Sequence, residues 1–199
     1  MTGQLVNKTL AIISLKAGNA NGETGSNRLV LSGCQCPGVY MNKVYLLIGG
    51  NMGNREEALA KACMLIGEQC GELMNISSLY ETEAWGKNNQ PSFLNQALEI
   101  NTSLKPLQLM QQILNIEKQI GRIRHEKYGP RSIDIDILFF NDEIYKYPSL
   151  TVPHPEIQNR RFVLEPMNEI VPSLVHPVLK KTIAELLEEC PDHLPVVKL

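Results

Sequence analysis

The sequence predicts an α+β fold of ferredoxin-like type, a βαββαβ core with an antiparallel sheet and helices packed on it. Three observations carry that reading. Segments of strand length and strand-like pattern recur at Val44–Ile48, Phe93–Ile100 and Ser132–Phe140. Two stretches with apolar residues at helical spacing, 55–68 and 106–120, stand between them. Turn-forming residues separate each element from the next.

Val44 to Ile48 is wholly apolar and reads as a buried strand, which Gly49-Gly50-Asn51 ends in what looks like a plain turn. Asn54 is a good N-cap, and Glu57 stands at capping-box spacing from it. The helix that follows, 55–68, buries Leu59, Ala62 and Ile66. Asn75 to Glu83 is β-like. Trp85 to Ser92, with Gly86, Asn88, Asn89 and Pro91, reads as a loop. Phe93 to Ile100 is the next strand. Pro106 suits a first helical turn, and Leu107, Met110, Ile113, Leu114, Ile116 and Ile120 follow at helical spacing up to Gly121, a natural stop. A basic loop spans Arg122 to Arg131. Ser132 to Phe140 is a strongly apolar strand, and a hairpin near Asn141-Asp142 leads to a short strand at about 143–147. A loop with a short helix is expected over 153–160, and a last helix at about 180–190.

The chain has 199 residues and a net charge of -2, with 43% hydrophobic and 20% charged residues. That length suits one folded domain. The charge gives no reason to expect a nucleic-acid partner, and no apolar run of about 18 residues points to a membrane. Any anion site must be local. Cys34, Cys36, Cys63, Cys70 and Cys190 form no C-x-x-C pair and are odd in number. They read as reduced thiols of a cytoplasmic protein rather than as disulfides or zinc ligands. Residues 1–40 are glycine-rich and weakly patterned, so they read as a disordered or weakly structured extension before a domain at 41–199. The apolar stretch Thr9–Leu15 is short and broken by Ser14, unlike a secretory signal. Met41 is a candidate natural start, which the intact mass of the natively expressed protein would test.

The sharpest chemical signal is Gly129-Pro130-Arg131-Ser132-Ile133-Asp134-Ile135-Asp136. Residues two apart on a strand face the same way, about 7 Å apart. Asp134 and Asp136 therefore share one face, and Ile133, Ile135 and Ile137 the other. Two adjacent carboxylates repel unless a cation sits between them, and hard oxygen ligands suit Mg²⁺. The alternative is a solvated polar face on an edge strand. Lys118, Arg122, Arg124, Lys127 and Arg131 precede the pair closely. Arginine matches phosphate oxygens, so the carboxylates and bases together form the two halves of a nucleotide triphosphate site. No G-x-x-x-x-G-K-[ST] is present, so phosphate handling falls to side chains and metal. His154, beside two prolines, is either a phosphate donor or a structural histidine bonding a backbone carbonyl. Phe93 and Phe162 by themselves read as core aromatics, and Asn95 as a solvent-facing strand residue.

These residues carry a resemblance. From Met41 to about Glu188 the chain resembles the 6-hydroxymethyl-7,8-dihydropterin pyrophosphokinase family. Four blocks carry it. They are Gly49-Gly50-Asn51; Ser78-Leu79-Tyr80-Glu81-Thr82 with Gln90-Pro91-Ser92-Phe93-Leu94-Asn95; Ile116-Glu117 through Gly121-Arg122 to Asp136; and Leu150-Thr151-Val152-Pro153-His154 through Arg160-Arg161-Phe162-Val163-Leu164.

The resemblance implies pyrophosphoryl transfer from ATP, as co-substrate, to the hydroxyl of the pterin, with attack on the β-phosphorus and AMP leaving. Asp134 and Asp136 then resemble the ligands of two Mg²⁺ ions. Arg122 and Arg131 resemble the arginines on the transferred phosphates, and Glu117, Lys127 and His154 lie on the nucleotide side. Phe93 and Phe162 resemble the aromatics that sandwich the pterin, Asn95 the amide at its edge, and Thr82 a residue of the same pocket. Gly50, Leu114, Tyr128 and Pro155 depart from residues common in the family. A monomer acting on small molecules is expected. The rivals are an enzyme with the same metal site and another hydroxyl acceptor, a non-catalytic ferredoxin-like binding module, and an inactive family member. The binding module would need exposed sheet aromatics and a broad basic face, and an inactive member would lack one of the Asp or Arg residues.

Overall fold

A computed structural model describes residues 41–83, 91–122 and 131–199. The N-terminal segment 1–40 and Lys127 lie outside the described residues. The elements run β1 (Asn42–Gly50), α1 (Arg55–Gln69), β2 (Glu72–Ile76), β3 (Tyr80–Thr82), β4 (Phe93–Thr102), α2 (Pro106–Ile120), β5 (Asp134–Phe140), β6 (Tyr145–Tyr147), β7 (Leu150–Val152), a 3₁₀ turn (Ile157–Asn159), α3 (Arg161–Ile170), α4 (Ile183–Glu188) and β8 (Val196–Lys198). The main sheet is ordered β5-β1-β4-β3-β8, with β2 also on β4, and its pairs are antiparallel. This is the ferredoxin-like α+β arrangement, with β2 and β3 sharing the place of one broken strand.

Alternation along the strands gives the sheet two apolar faces. Val44, Leu46 and Ile48 join Leu98, Ile100, Ile133, Ile135 and Ile137 under α1 and α2. Tyr45, Leu47, Ala97 and Phe139 pack on the other side against Val163, Leu164 and Met167 of α3 and Ile183 and Leu186 of α4. The second layer covers only part of its face.

Local chemistry fixes the helix ends. The Asn54 side chain accepts the Glu57 amide N–H at 3.2 Å and caps α1. Glu57 bonds back to the Asn54 side chain at 3.1 Å, rather than to its backbone as in a full capping box. Pro106 opens α2. Gly121 closes it at φ 97°, with its N–H on the Lys118 carbonyl and the Arg122 N–H on the Glu117 carbonyl, a Schellman motif.

Several expectations are corrected. The β-like stretch 75–83 is two strands, because the Ser77 hydroxyl takes the Ala97 N–H at 2.9 Å and breaks the ladder. The segment after Asn141-Asp142 does not form a hairpin with β5. Asn141 turns at φ 51°, and β6 pairs with β7 in a separate two-stranded sheet. The last expected helix is shorter, Ile183–Glu188. α3, β7 and β8 had no counterpart in the sequence reading. Pro166 inside α3 masks its helical pattern, although Val163, Leu164 and Met167 bury one face of it.

Candidate active site

The register of the sheet assembles the site. Asp134 on β5 lies opposite Gly49 on β1, which lies opposite Asn95 on β4. Asp136 lies opposite Leu47, and Phe93 opposite Thr82 on β3. Residues directly opposite share a face, so these side chains stand together on the side that α3 leaves open. They line a cleft of about 230 Å³ with Arg131, His154, Arg160 and Phe162.

The floor is acidic. Asp134 pairs with Arg122 Nη1 at 2.6 Å and with Arg131 Nη1 at 2.5 Å. Asp136 has protein on most sides. Burial, followed by the charge of Asp134, pushes its carboxyl up to about 7 against the opposing pull of Arg160 and Arg131. Behind them Glu117 is 3% exposed, accepts the Ile135 N–H at 3.0 Å and pairs with Arg122. Its carboxyl is raised by burial despite Arg122. The C-terminus of α2 thus fixes Arg122 twice, by its backbone and by its guanidinium, on the same glutamate.

The basic wall is held by the end of β1. The Asn51 side-chain oxygen accepts the Arg131 N–H at 2.9 Å, and the Asn51 N–H donates to the Arg131 carbonyl at 3.0 Å. A Cβ on Gly50 would lie 2.3 Å from the Ser132 carbonyl oxygen, so glycine permits this close approach. Gly49-Gly50-Asn51 is therefore a clamp on Arg131 and not merely a turn. The Arg131 guanidinium lies 5.6 Å from the Phe93 ring centre, and its buried Nε has no acceptor among the described residues.

On the opposite wall, the Asn95 amide nitrogen donates to Thr82 Oγ1 at 2.9 Å, and both residues are buried. A Cβ on Gly49 would come 2.4 Å from Asn95 Oδ1, so this glycine makes room for the amide. Asn95 is not a solvent-facing residue. Phe162, on the first turn of α3, has the Arg160 guanidinium 5.9 Å from its ring centre.

His154 sits on a rigid loop after the cis Val152–Pro153 bond. A bulge in β5 leaves Leu138 as the extra residue between Ile137, opposite Leu46, and Phe139, opposite Tyr45. The Leu138 carbonyl accepts the His154 N–H at 3.0 Å. Burial, aided by Arg160, lowers the imidazole pKa to about 4, so the ring is neutral near pH 7. Its Nδ1 accepts the Glu156 N–H at 3.3 Å, which puts the proton on Nε2.

The cleft brings together Thr82, Phe93, Asn95, Arg131, Asp134, Asp136, His154 and Phe162, with Arg122 joined through Asp134. Glu117 stands behind this surface as a support for Arg122 and β5. The sequence reading missed Gly49, Asn51 and Arg160 as site residues. Arg160 stood in the Asn-Arg-Arg-Phe run two positions before Phe162, where its charge was the available signal. Among the described residues no three His, Cys, Asp or Glu gather into a metal cluster. No helix among them is long and apolar enough to cross a membrane.

Comparison with known proteins bears on the family and the fold. Residues 45–172 match the family model of 7,8-dihydro-6-hydroxymethylpterin-pyrophosphokinase. A 2-amino-4-hydroxy-6-hydroxymethyldihydropteridine pyrophosphokinase of Aquifex aeolicus is 42% identical over 149 residues, covering 75% of this chain and 92% of that protein. The folic acid synthesis protein fol1 of Schizosaccharomyces pombe is 38% identical over 152 residues, but the chain spans only 21% of it. Among solved structures, wild-type Plasmodium falciparum HPPK-DHPS has the same fold at TM-score 0.62 and 20% identity, over 75% of this chain and 43% of that one. The chain belongs to the 7,8-dihydro-6-hydroxymethylpterin-pyrophosphokinase family.

Proposed function

We propose that the chain transfers a pyrophosphoryl group from ATP to the hydroxymethyl oxygen of 6-hydroxymethyl-7,8-dihydropterin, giving the pterin diphosphate and AMP in folate biosynthesis. The observation that carries this reading is the pair Asp134 and Asp136. They project from one face of β5 into a cleft that also holds the guanidinium groups of Arg131 and Arg160 and the side chains of Phe93, Asn95 and Phe162, with Arg122 joined through Asp134.

The donor set fits magnesium. Two carboxylates crowd each other, and the Asp136 carboxyl is pushed up to about 7 largely because its charge is buried beside that of Asp134. Hard dications favour such oxygen donors, and Asp134 and Asp136 would hold two Mg²⁺ ions. Bound there, the ions would supply charge neutralisation on the polyphosphate.

The chain's own residues do the rest. Phe93 and Phe162 hold the flat ring, and stacked aromatic contacts contribute about 0.5–1.5 kcal/mol beyond area. Thr82 fixes the Asn95 amide through its nitrogen, leaving Oδ1 to accept from an N–H on the edge of the pterin. Arg122 and Arg131 pair with Asp134 in the described structure and bind the transferred phosphates when ATP enters. Neutral His154 donates from Nε2 to a phosphate oxygen, with Lys127 on the same nucleotide side. The hydroxymethyl oxygen forms its bond to the β-phosphorus as the bond to AMP breaks, and its proton passes to solvent. Phosphoryl-type transition states are loose, so positioning and charge matter more than a strong base.

The test is AMP release from ATP, with each reactant omitted in turn. AMP should appear only when Mg²⁺ and the hydroxymethyl pterin are both present. AMP that forms without the pterin, or only with a different hydroxyl acceptor, would overturn the reading.

A further inference from the structure

Behind the pterin wall, on the sheet face turned toward α1, lies an ion-pair network that the chemistry above does not use. Arg55, the first residue of α1, donates from Nη1 to Glu81 Oε1 at 2.7 Å, to the Ser92 carbonyl at 2.9 Å and to Ser92 Oγ at 2.9 Å. The Ser92 hydroxyl in turn donates to Glu81 Oε1 at 2.7 Å. Glu81 and Ser92 each immediately precede a residue of the cleft, Thr82 and Phe93, which lie opposite each other in the β3–β4 ladder. Glu81 itself lies opposite Leu94, a residue of the core beneath α1 and α2. The network therefore stands on the far side of the sheet from the ligand.

We propose that Arg55 is a positioning residue for pterin recognition: its guanidinium ties Glu81 to Ser92 and so sets the spacing of Thr82 and Phe93 across the cleft wall. This rests on the reading of that wall as the pterin side. Three features support it. β3 has only three residues, and Thr82 is its last, in register with Phe93 of β4 on one side and Val196 of β8 on the other. One guanidinium nitrogen, Nη1, reaches both flanking residues, so a single side chain links the two strands, at a length and geometry that lysine does not match. Thr82 orients the Asn95 amide, so a shift in Thr82 also turns the group that reads the ring edge. The network bonds to none of the residues assigned to ATP, Arg122, Arg131 and His154; of these, Arg131 stands next to Phe93, 5.6 Å from its ring centre.

The expected signature is selective. Arg55→Ala and Glu81→Gln should each raise the dissociation constant and KM for the hydroxymethyl pterin roughly three- to tenfold. The affinity for a non-hydrolysable ATP analogue should stay within about twofold of wild type. Arg55→Lys should recover only part of the loss. The Arg55→Ala, Glu81→Gln double variant should be no worse than the poorer single one, because both remove the same tie. The experiment is isothermal titration of wild type and these variants with the pterin and with the ATP analogue, alongside steady-state kinetics. Normal ATP-analogue binding certifies that a variant is folded. If wild type binds pterin and both folded single variants bind it equally well, the proposal fails and the functional reading stands. Equal weakening of ATP and pterin also overturns it, since that is the mark of a general structural role. A wild type that binds no pterin overturns the functional reading and this proposal with it.

Discussion

Replacing Asp136 with alanine removes one of the two carboxylates on the cleft floor and the charge that crowds Asp134. Losing a buried repulsion does not harm the fold, so the melting temperature should hold or rise. Under the proposed metal role, the same change should lower kcat by at least about 100-fold. Near-normal turnover in Asp136→Ala would count against the metal role. Phe162→Ala separates the two substrates. It should weaken pterin binding by about 1 kcal/mol or more, the scale of a lost aromatic stack, and leave ATP-analogue binding unchanged. Asn51 is the residue whose importance the sequence concealed. It reads as a turn asparagine, yet it is 2% exposed, clamps the Arg131 backbone from both sides and donates to the Pro91 carbonyl at 3.2 Å. Asn51→Ala leaves the Arg131 N–H without its acceptor and should destabilise by about 1–3 kcal/mol. Because Arg131 is displaced, kcat should fall more than thermal stability alone explains. Chemical denaturation and kinetics on the same preparation check both.

At the level of elements, the C-terminus of α2 links packing to chemistry. Gly121 has φ 97°, a region that costs an L-residue about 1–2 kcal/mol, while a Cβ there would meet nothing within 4 Å. Gly121→Ala therefore isolates the backbone cost. It should lower stability by that amount and disturb the Schellman bonds that fix Arg122 over Glu117, so that kcat drops while pterin KM is kept. A variant with normal kcat would separate the helix cap from the position of Arg122. This helix was readable because its apolar spacing, Pro106 and Gly121 are local signals. The face assignment of Asp134 and Asp136 was readable too, because strand alternation depends only on neighbours in sequence. The partner of β6 was not readable, since nothing local distinguishes pairing with β5 from pairing with β7. α3 stayed hidden because Pro166 argues against a helix that its tertiary contacts favour. The bulge at Leu138 that seats His154 comes from matching β5 to β1, a long-range fact.

For the whole molecule, the closure of the sheet edge is the feature least visible in the sequence and the one most open to test by pH. β8 pairs with β3 more than a hundred residues away in sequence, and Glu169 at the end of α3 ties the pieces together. Its carboxylate accepts from Tyr80 Oη at 2.8 Å, from the Ser78 N–H at 3.1 Å, from Ser78 Oγ at 3.0 Å and from Lys198 Nζ at 3.0 Å. Burial works against ionisation here, but the bonds from Tyr80, Lys198 and Ser78 prevail and lower the pKa from 4.5 to about 2. A carboxyl with a depressed folded-state pKa stabilises the fold fully above its unfolded value, and that contribution is lost as pH falls through the folded one. The window for Glu169 therefore runs from about pH 4.5 down to about pH 2. Glu169→Gln keeps the shape and removes the charge. At pH 7 it should melt below wild type, and the gap should close steadily as pH is lowered across that window. Thermal melts of both proteins at several pH values between 7 and 2 measure this directly. A gap that stays constant with pH would mean that hydrogen-bond geometry, and not the charge of Glu169, holds α3, β3 and β8 together.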